Sequence, residues 1–153
     1  LIKIFLKKDI REIGSGNIGA TNALRTGNKF IGYSTLILDI IKAVIPVLYV
    51  KVNFPDLIYV SALCAFLGHV FPVWLKFKGG KGVATYVGIL CSMNIMFGVV
   101  FGICWVVTFF ISKFSSLASL IGSVSVPIYL LLFDSTENEI FFWDNVYFNI
   151  LYS

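Results

Sequence analysis

Charged residues are scarce in this sequence, and their scarcity limits the class of protein that it encodes. Only 13% of the 153 residues are Asp, Glu, Lys or Arg, whereas 58% are hydrophobic. Soluble domains carry about 25% charged and about 45–50% apolar residues. With a mean hydropathy of +0.91, the chain has more apolar surface than a water-soluble fold of its length can bury. The composition therefore predicts an integral membrane protein.

Cysteine and histidine are also rare. The spacing of Cys64, Cys91 and Cys104 matches no metal motif, and an odd number argues against a complete disulfide framework. We interpret these cysteines as small apolar side chains in helix contacts. The net charge of +4 is too small and too segmented to predict nucleic-acid binding. No cleavable signal peptide is visible, and residues 1–6 are typical of a helix tail, so we expect a fragment of a longer protein.

The long apolar runs predict an all-α, polytopic membrane bundle forming a single domain. A bilayer core needs about 20 helical residues for one crossing. The predicted spans are residues 30–52, 57–75, 83–112 and 117–133, with a partial span at 140–152. The region 83–112 stays open at this stage, because it fits one tilted span or a two-helix hairpin broken near residues 92–94.

Basic residues suggest how the spans are oriented. If residues 30–52 leave the cytoplasm and residues 57–75 return, Lys51 is the only basic residue in an outside loop. A hairpin at 83–112 would also return Lys113 to the inside, as the positive-inside rule prefers. The charge pattern therefore favours the hairpin and predicts that the loops before residue 30 and after residue 75 face the cytoplasm.

Two glycine-rich stretches border the apolar runs: residues 14–25 precede the run at 30–52, and residues 77–85 lie between two runs. Glycine lets backbone N–H groups approach an anion closely, and a helix beginning near Val83 would add its partial positive N-terminal charge. Arg25 and Lys81 are embedded among small polar residues and are the strongest candidates for phosphate contacts. We hypothesise that both stretches close over phosphate-bearing substrates at one membrane face.

Residues 14–19 also match the G-x-G-x-x-G fingerprint of dinucleotide-binding proteins, with Asp39 20 residues beyond the last glycine. That fingerprint requires a preceding strand and a βαβ unit. Here Asp39 lies inside a predicted membrane span, so we exclude nucleotide binding.

Each of the other polar residues has both a structural and a functional interpretation. Asp39 and Lys42 share a helix face, either as a structural ion pair or with Lys42 adding positive potential behind the phosphate site. The only histidine, His69, either holds a turn by hydrogen bonding or acts as a base on a substrate hydroxyl. The serines at positions 115, 116 and 119 either cap a helix or reach an anion.

These residues resemble a known family, the bacterial acyl-phosphate:glycerol-3-phosphate acyltransferases of the PlsY type. The resemblance rests on residues 14–22 followed by Arg25, on residues 68–72, and on residues 77–85, and runs in order from about residue 9 to residue 133. It implies a seven-helix enzyme of the bacterial inner membrane. Such an enzyme transfers a fatty acyl group from acyl phosphate to the 1-hydroxyl of glycerol 3-phosphate, giving lysophosphatidic acid, without a metal or other cofactor.

The resemblance also implies roles for individual residues. Ser15, Arg25, Lys81 and the backbone of Gly79, Gly80 and Gly82 would hold phosphate, and His69 would position the second loop. The first loop would be shaped by Gly14, Gly16, Asn17 and Asn22. Ser116 or Ser119 would complete the phosphate pocket.

Two parts of the family pattern are not found here, namely most of the first helix and a C-terminal motif carrying His and Asn. An inactive remnant of such an enzyme is therefore one alternative. A transporter or binding protein for a phosphorylated metabolite is another, although the internal repeats common in transporters are not seen.

Overall fold

The computed structural model describes residues 10, 16 and 18–133, and the regular elements within this part are all helical. The helices are α1 Ala20–Leu24, α2 Lys29–Asn53, α3 Ile58–Val70, α4 Val83–Met93, α5 Ile95–Ser112 and α6 Ser115–Phe133. A 3-10 turn at Pro55–Leu57 precedes α3, and another at Val73–Leu75 follows it. The prediction of an all-α fold is confirmed. The predicted partial span at 140–152 lies outside the described residues.

Local sequence signals explain where several helices begin and end. Asn28 caps α2, with its side-chain oxygen accepting from the Ile31 N–H at 3.3 Å. Asn94 caps α5 in the same way, accepting from the Met96 N–H at 2.9 Å. Helix α3 ends at Val70, two residues before Pro72, because proline disfavours helical geometry in the residue that precedes it. The sequence predicted an end or a kink at this proline.

Residues 83–112 form two helices that fold back on each other at Asn94. The rings of Tyr86 on α4 and Phe101 on α5 lie 5.5 Å apart between centroids. In one continuous helix these residues would be about 22 Å apart, so the chain reverses direction between them. Helix α6 folds back on α5 in turn. This is shown by the indole N–H of Trp105, which donates to the hydroxyl of Ser119 at 3.1 Å.

The main core lies between α2, α3, α4, α5 and α6. It is built around Phe66, Tyr86, Ile89 and Leu90, whose side chains are fully buried. The outer surfaces are apolar instead of polar, with large side chains such as Ile111 and Phe133 at least 75% exposed. Three segments are long and apolar enough to cross a membrane, namely Pro55–Leu75, Ile95–Ser112 and Ser115–Phe133. A buried core beneath an exposed apolar surface fits a protein that is solvated by lipid.

Helices α3 and α4 both pack along helix α2. Helix α2 runs antiparallel to α3, which follows it after a short turn and brings His69 level with Lys42. It runs parallel to α4, since Asp39 lies level with Thr85 and Lys51 lies level with Ser92. Helix α4 has only 11 residues, which gives a length of about 16 Å. A bilayer core is about 30 Å thick, so α4 covers about half of it. Its N-terminus therefore begins part of the way along α2 and not at its end.

Candidate functional site

The loop before α4 folds back onto the end of α3. We call residues 77–82 the glycine loop. The N–H of Phe77 donates to the Pro72 carbonyl at 3.0 Å, and the N–H of Gly79 donates to the Val70 carbonyl at 3.1 Å. These hydrogen bonds satisfy carbonyls near the end of α3 and hold the glycine loop against the core.

Close packing explains why glycine is needed at three positions of this loop. A Cβ at Gly79 would overlap the carbonyl oxygens of His69 and Val70, and a Cβ at Gly80 would overlap the Nε2 atom of His69. At Gly82 the φ angle is +77°, and a Cβ would lie 2.6 Å from the ring of Phe66. The sequence predicted these glycines as groups that approach an anion. The structure shows that they also allow the backbone to approach α3.

His69 is buried beneath the glycine loop and is held from α2. The Lys42 ammonium lies 2.5 Å from His69 Nδ1 and donates to Asp39 Oδ1 at 2.7 Å. Because an ammonium group can only donate, Nδ1 is the acceptor in this contact, and the other ring nitrogen, Nε2, faces Gly80. The side chain of His69 is only 4% exposed. This arrangement fits the predicted role of holding the turn.

The start of α4 is fixed to α2 at the same level. The hydroxyl of Thr85 donates to the Asp39 carbonyl at 3.3 Å, and a Cβ at Gly88 would lie 2.8 Å from the Ile40 carbonyl oxygen. The two helices therefore touch almost backbone to backbone. As a result, the N-terminus of α4 and its partial positive charge lie beside the cluster of Asp39, Lys42 and His69.

The first glycine-rich stretch is only partly described. Gly16 has a φ of +71°, a left-handed conformation that favours glycine. Gly14, Ser15 and Asn17, which were predicted to hold phosphate or to shape this loop, lie outside the described residues. Residues 18–28, which comprise the rest of this stretch and the connection to α2, are called the N-terminal turn below and contain α1.

The N-terminal turn packs on the first part of α2. Leu24 lies against Gly32, where a Cβ would collide with the Leu24 side chain. Asn22 is 2% exposed, and its side-chain amide donates to the Ile10 carbonyl at 3.1 Å. The role predicted for Asn22, shaping the first loop, stays a prediction that this hydrogen bond supports. The N-terminal turn lies against the start of α2, and the glycine loop lies farther along it, near the level of Asp39, so both lie beside the N-terminal half of α2.

Arg25 and Lys81 differ from the other polar residues of the site. Arg25 caps the end of α1, Lys81 lies two residues before α4, and both are exposed. No residue in the described part of the chain forms a hydrogen bond or ion pair with either cation. Each charged group is therefore available to an anion, and the assignment of both cations to phosphate contacts stays a prediction.

The two predicted serines have different surroundings. Ser119 is 9% exposed, and its hydroxyl donates to the Ser115 carbonyl at 2.8 Å while accepting from Trp105. Ser116 is exposed in the first turn of α6, at the end of the bundle that also contains the glycine loop. Of the two, Ser116 has the accessible hydroxyl.

Sequence reasoning did not identify two contacts of the site. It paired Lys42 with Asp39 but did not predict that Lys42 also reaches His69, 27 residues away. It also quoted Thr85 only as part of a motif, although Thr85 is completely buried and ties α4 to α2. The signal available in the sequence was a hydroxyl residue placed three positions after the last glycine of the loop. Within the described residues, no group of three His, Cys, Asp or Glu side chains could hold a metal ion.

Comparisons with known proteins show the family to which the chain belongs. The whole chain, residues 1–153, matches the family model for glycerol-3-phosphate acyltransferase. It is 72% identical over 142 residues to the glycerol-3-phosphate acyltransferase of Pelagibacter ubique, covering 93% of this chain and 74% of that protein. It is 52% identical over 122 residues to the Brucella anthropi protein of the same name, covering 80% of this chain and 61% of that protein.

Solved structures show the same fold. Crystal structures of PlsY, an integral membrane glycerol 3-phosphate acyltransferase, exist in a glycerol 3-phosphate form and a lysophosphatidic acid form. The first has a TM-score of 0.91 and 32% identity, covering 99% of this chain and 77% of that chain. The second has a TM-score of 0.84 and 33% identity, covering 91% and 72%. This multi-pass membrane protein therefore belongs to the glycerol-3-phosphate acyltransferase family.

Proposed function

We propose that this protein transfers a fatty acyl group from acyl phosphate to the 1-hydroxyl of glycerol 3-phosphate, releasing lysophosphatidic acid and phosphate. Family membership supports acyl transfer to glycerol 3-phosphate. The choice of acyl phosphate as donor rests on the site, because both substrates would then carry a phosphate group. The two exposed cations, Arg25 and Lys81, give the site one basic group for each of them.

The observation that carries the proposal is the position of Lys81. It lies in a loop whose backbone is fixed by hydrogen bonds to α3, directly before the N-terminus of a helix that begins part of the way along α2. A lysine, loop N–H groups and a helix N-terminus all favour an anion at this point. A phosphate attached to a long acyl chain can reach this depth while its chain stays in lipid.

The chemistry needs little more than orientation and charge stabilisation. The substrate hydroxyl oxygen attacks the acyl carbonyl carbon, a C–O ester bond forms, and the bond between that carbon and the phosphate oxygen breaks. The departing phosphate takes the bonding electrons and accepts the hydroxyl proton. Because acyl phosphate is already an activated mixed anhydride, cations and backbone N–H groups that stabilise the oxyanion and the departing phosphate are sufficient.

In this mechanism His69 is a positioning residue. Its Nδ1 atom is engaged by Lys42, and its Nε2 atom faces the backbone of Gly80. The imidazole therefore supports the glycine loop from below. Ser15 of the first stretch and Ser116 of α6 are proposed to add hydroxyl contacts to the phosphate groups.

We further propose that the site faces the cytoplasm from the inner membrane of a bacterium. The end of the bundle that contains the glycine loop also carries Arg25, Lys29 and Lys113, whereas Lys51 lies at the opposite end. The positive-inside rule assigns the more basic end to the cytoplasm. The substrates would then arrive from the compartment in which phosphorylated metabolites are made.

The test is an acyl-transfer assay on the purified full-length protein in detergent, with acyl phosphate and radiolabelled glycerol 3-phosphate. Arg25→Ala and Lys81→Ala should each reduce the formation of labelled lysophosphatidic acid by about 100-fold or more, as expected when a charge-stabilising donor is removed. Lys78→Ala is the matched control, since Lys78 is an exposed lysine of the same loop and should retain near-normal turnover.

One outcome tests the assignment of the two cations, and two others would support the rival functions. Near-normal turnover in either Arg25→Ala or Lys81→Ala would rule out the assignment of these cations. Uptake of glycerol 3-phosphate into vesicles without product would support a transporter. Absence of both product and uptake in a folded protein would support an inactive remnant.

A further inference from the structure

Lys51 is the basic residue that the orientation of the protein does not explain. It lies in the last turn of α2, at the end opposite to the glycine loop, where the positive-inside rule gives no reason for a lysine. Its ammonium group donates to the carbonyl oxygens of Ser92 at 3.0 Å and Met93 at 2.8 Å. These are the last two residues of α4.

The end of α4 needs a partner of this kind. The last carbonyls of a helix have no intrahelical partner, and α4 cannot continue because the chain reverses at Asn94. A cation at this end also interacts favourably with the partial negative charge of the helix C-terminus. Lys51 supplies both the donor and the charge, and it does so from α2, the helix that also carries Asp39 and Lys42.

Helix α4 is therefore held against α2 at both of its ends. At the N-terminal end, Thr85 donates to the Asp39 carbonyl, and at the C-terminal end Lys51 reaches the last two carbonyls. Between them, Gly88 lies against the Ile40 carbonyl. Because Lys81 and Gly82 directly precede α4, the position of this helix along α2 also sets the depth of both residues.

We propose that Lys51 is a positioning residue for acyl transfer, which acts through the length of α4 to hold the glycine loop and Lys81 at the correct depth. This proposal rests on the proposed function. Lys51 touches no substrate, since it lies about 16 Å from the start of α4. A small displacement of a phosphate-binding group is enough to slow a reaction of this kind strongly.

The kinetic test compares three variants of the full-length protein. Lys51→Met keeps the length of the side chain without its charge and should lower kcat/KM for acyl transfer by about tenfold. Lys51→Arg keeps the cation and should recover most of the activity. Asn53→Ala is the matched control, because the Asn53 amide lies at the same end of α2 and donates to Tyr49 of its own helix.

The outcome against the proposal is equally specific. All rates are measured well below the unfolding temperature and per folded molecule. If Lys51→Met lowers the unfolding temperature but leaves kcat and KM unchanged, Lys51 is only a stabilising residue. If Lys51→Arg is as impaired as Lys51→Met, the cation at the end of α4 is not what matters, and the proposal is wrong.

A second measurement does not depend on activity. Cys91 lies in the last turn of α4 and is exposed as a residue, but its sulfur lies beside Gly98 of α5, which shields one side of it. In a Cys64→Ala, Cys104→Ala background, loosening of this turn by Lys51→Met should raise the rate of Cys91 alkylation by N-ethylmaleimide several-fold. Lys51→Arg and Asn53→Ala should leave the rate unchanged.

The two measurements keep the failure of this inference separate from the failure of the proposed function. An unchanged alkylation rate in Lys51→Met overturns the inference, whatever the kinetics show. A protein that makes no lysophosphatidic acid in any form overturns the proposed function, while a raised alkylation rate would then still establish that Lys51 holds the end of α4.

Discussion

The N-terminal turn and the glycine loop are anchored in different ways. The glycine loop lies directly on the main core, with Gly82 against Phe66 and Gly80 against His69. The N-terminal turn depends on a small separate cluster of Ile10, Ala23 and Ile31. A change in the glycine loop should therefore affect both folding and activity, whereas a change in the N-terminal turn should affect activity more than global stability.

The largest effect is expected from Gly82→Ala. The new Cβ would meet the buried ring of Phe66 at a position where φ is +77°, so either the loop or the ring must move. We expect a loss of acyl transfer of at least about 100-fold, together with a lower unfolding temperature. Both are measured by the radiolabelled assay and by thermal unfolding in detergent.

Gly68→Ala is the control for this prediction. Gly68 lies beside His69 on α3, but a Cβ there has no neighbour within 4 Å. Alanine favours a helix over glycine by about 1 kcal/mol, so this variant should be as active and at least as stable as the native protein. Equal activity of Gly82→Ala and Gly68→Ala would contradict the tight packing described for the glycine loop.

An intermediate effect is expected from Asn22→Ala. This change removes the donor to the buried carbonyl of Ile10, and an unsatisfied buried group costs about 1–3 kcal/mol. Because the N-terminal turn has its own small cluster, the loss should appear as a drop in acyl transfer of about tenfold, with little change in the unfolding temperature. An equally large fall in both quantities would show that the N-terminal turn and the main core unfold together.

The smallest effect is expected from Lys76→Gly. Lys76 has a φ of +54° and is followed by Phe77 at +61°, so two consecutive residues without glycine's freedom adopt a left-handed conformation. Such a conformation costs about 1–2 kcal/mol per residue, part of which glycine regains. The free energy of unfolding should therefore rise by up to about 1 kcal/mol with unchanged activity. A destabilised variant would show that Lys76 makes a contact worth more than the strain.

The apolar runs were sufficient to predict most of the helices. The stretch predicted at 117–133 is helical from Ser115, and the one at 30–52 is helical from Lys29 to Asn53. Asn94 was among the residues at which a break was considered, because charge placement favoured a hairpin there. The hairpin implied a short α4, but the level at which α4 begins along α2 was not predicted, since hydropathy measures how apolar a segment is and not where along a neighbouring helix it begins.

Within the site, local motifs identified residue types but not their partners. The motif at residues 77–85 predicted Lys81 and the glycines correctly as members of one loop. It did not reveal that Gly80 faces His69, or that Lys42 reaches across from α2. These contacts depend on how α2, α3 and α4 align, which is decided by packing at positions such as Gly88 and Ile40.

The single-residue break at Asn94 also affects how the protein enters a membrane. An 11-residue helix is too short to be recognised as a crossing by itself. We therefore expect helix α4 to insert during synthesis as one unit with α5, whose 18 residues are long enough to lead it. Lengthening the connection at Asn94 should therefore slow the membrane integration of α4 and α5, even where the contacts of the folded protein are unchanged.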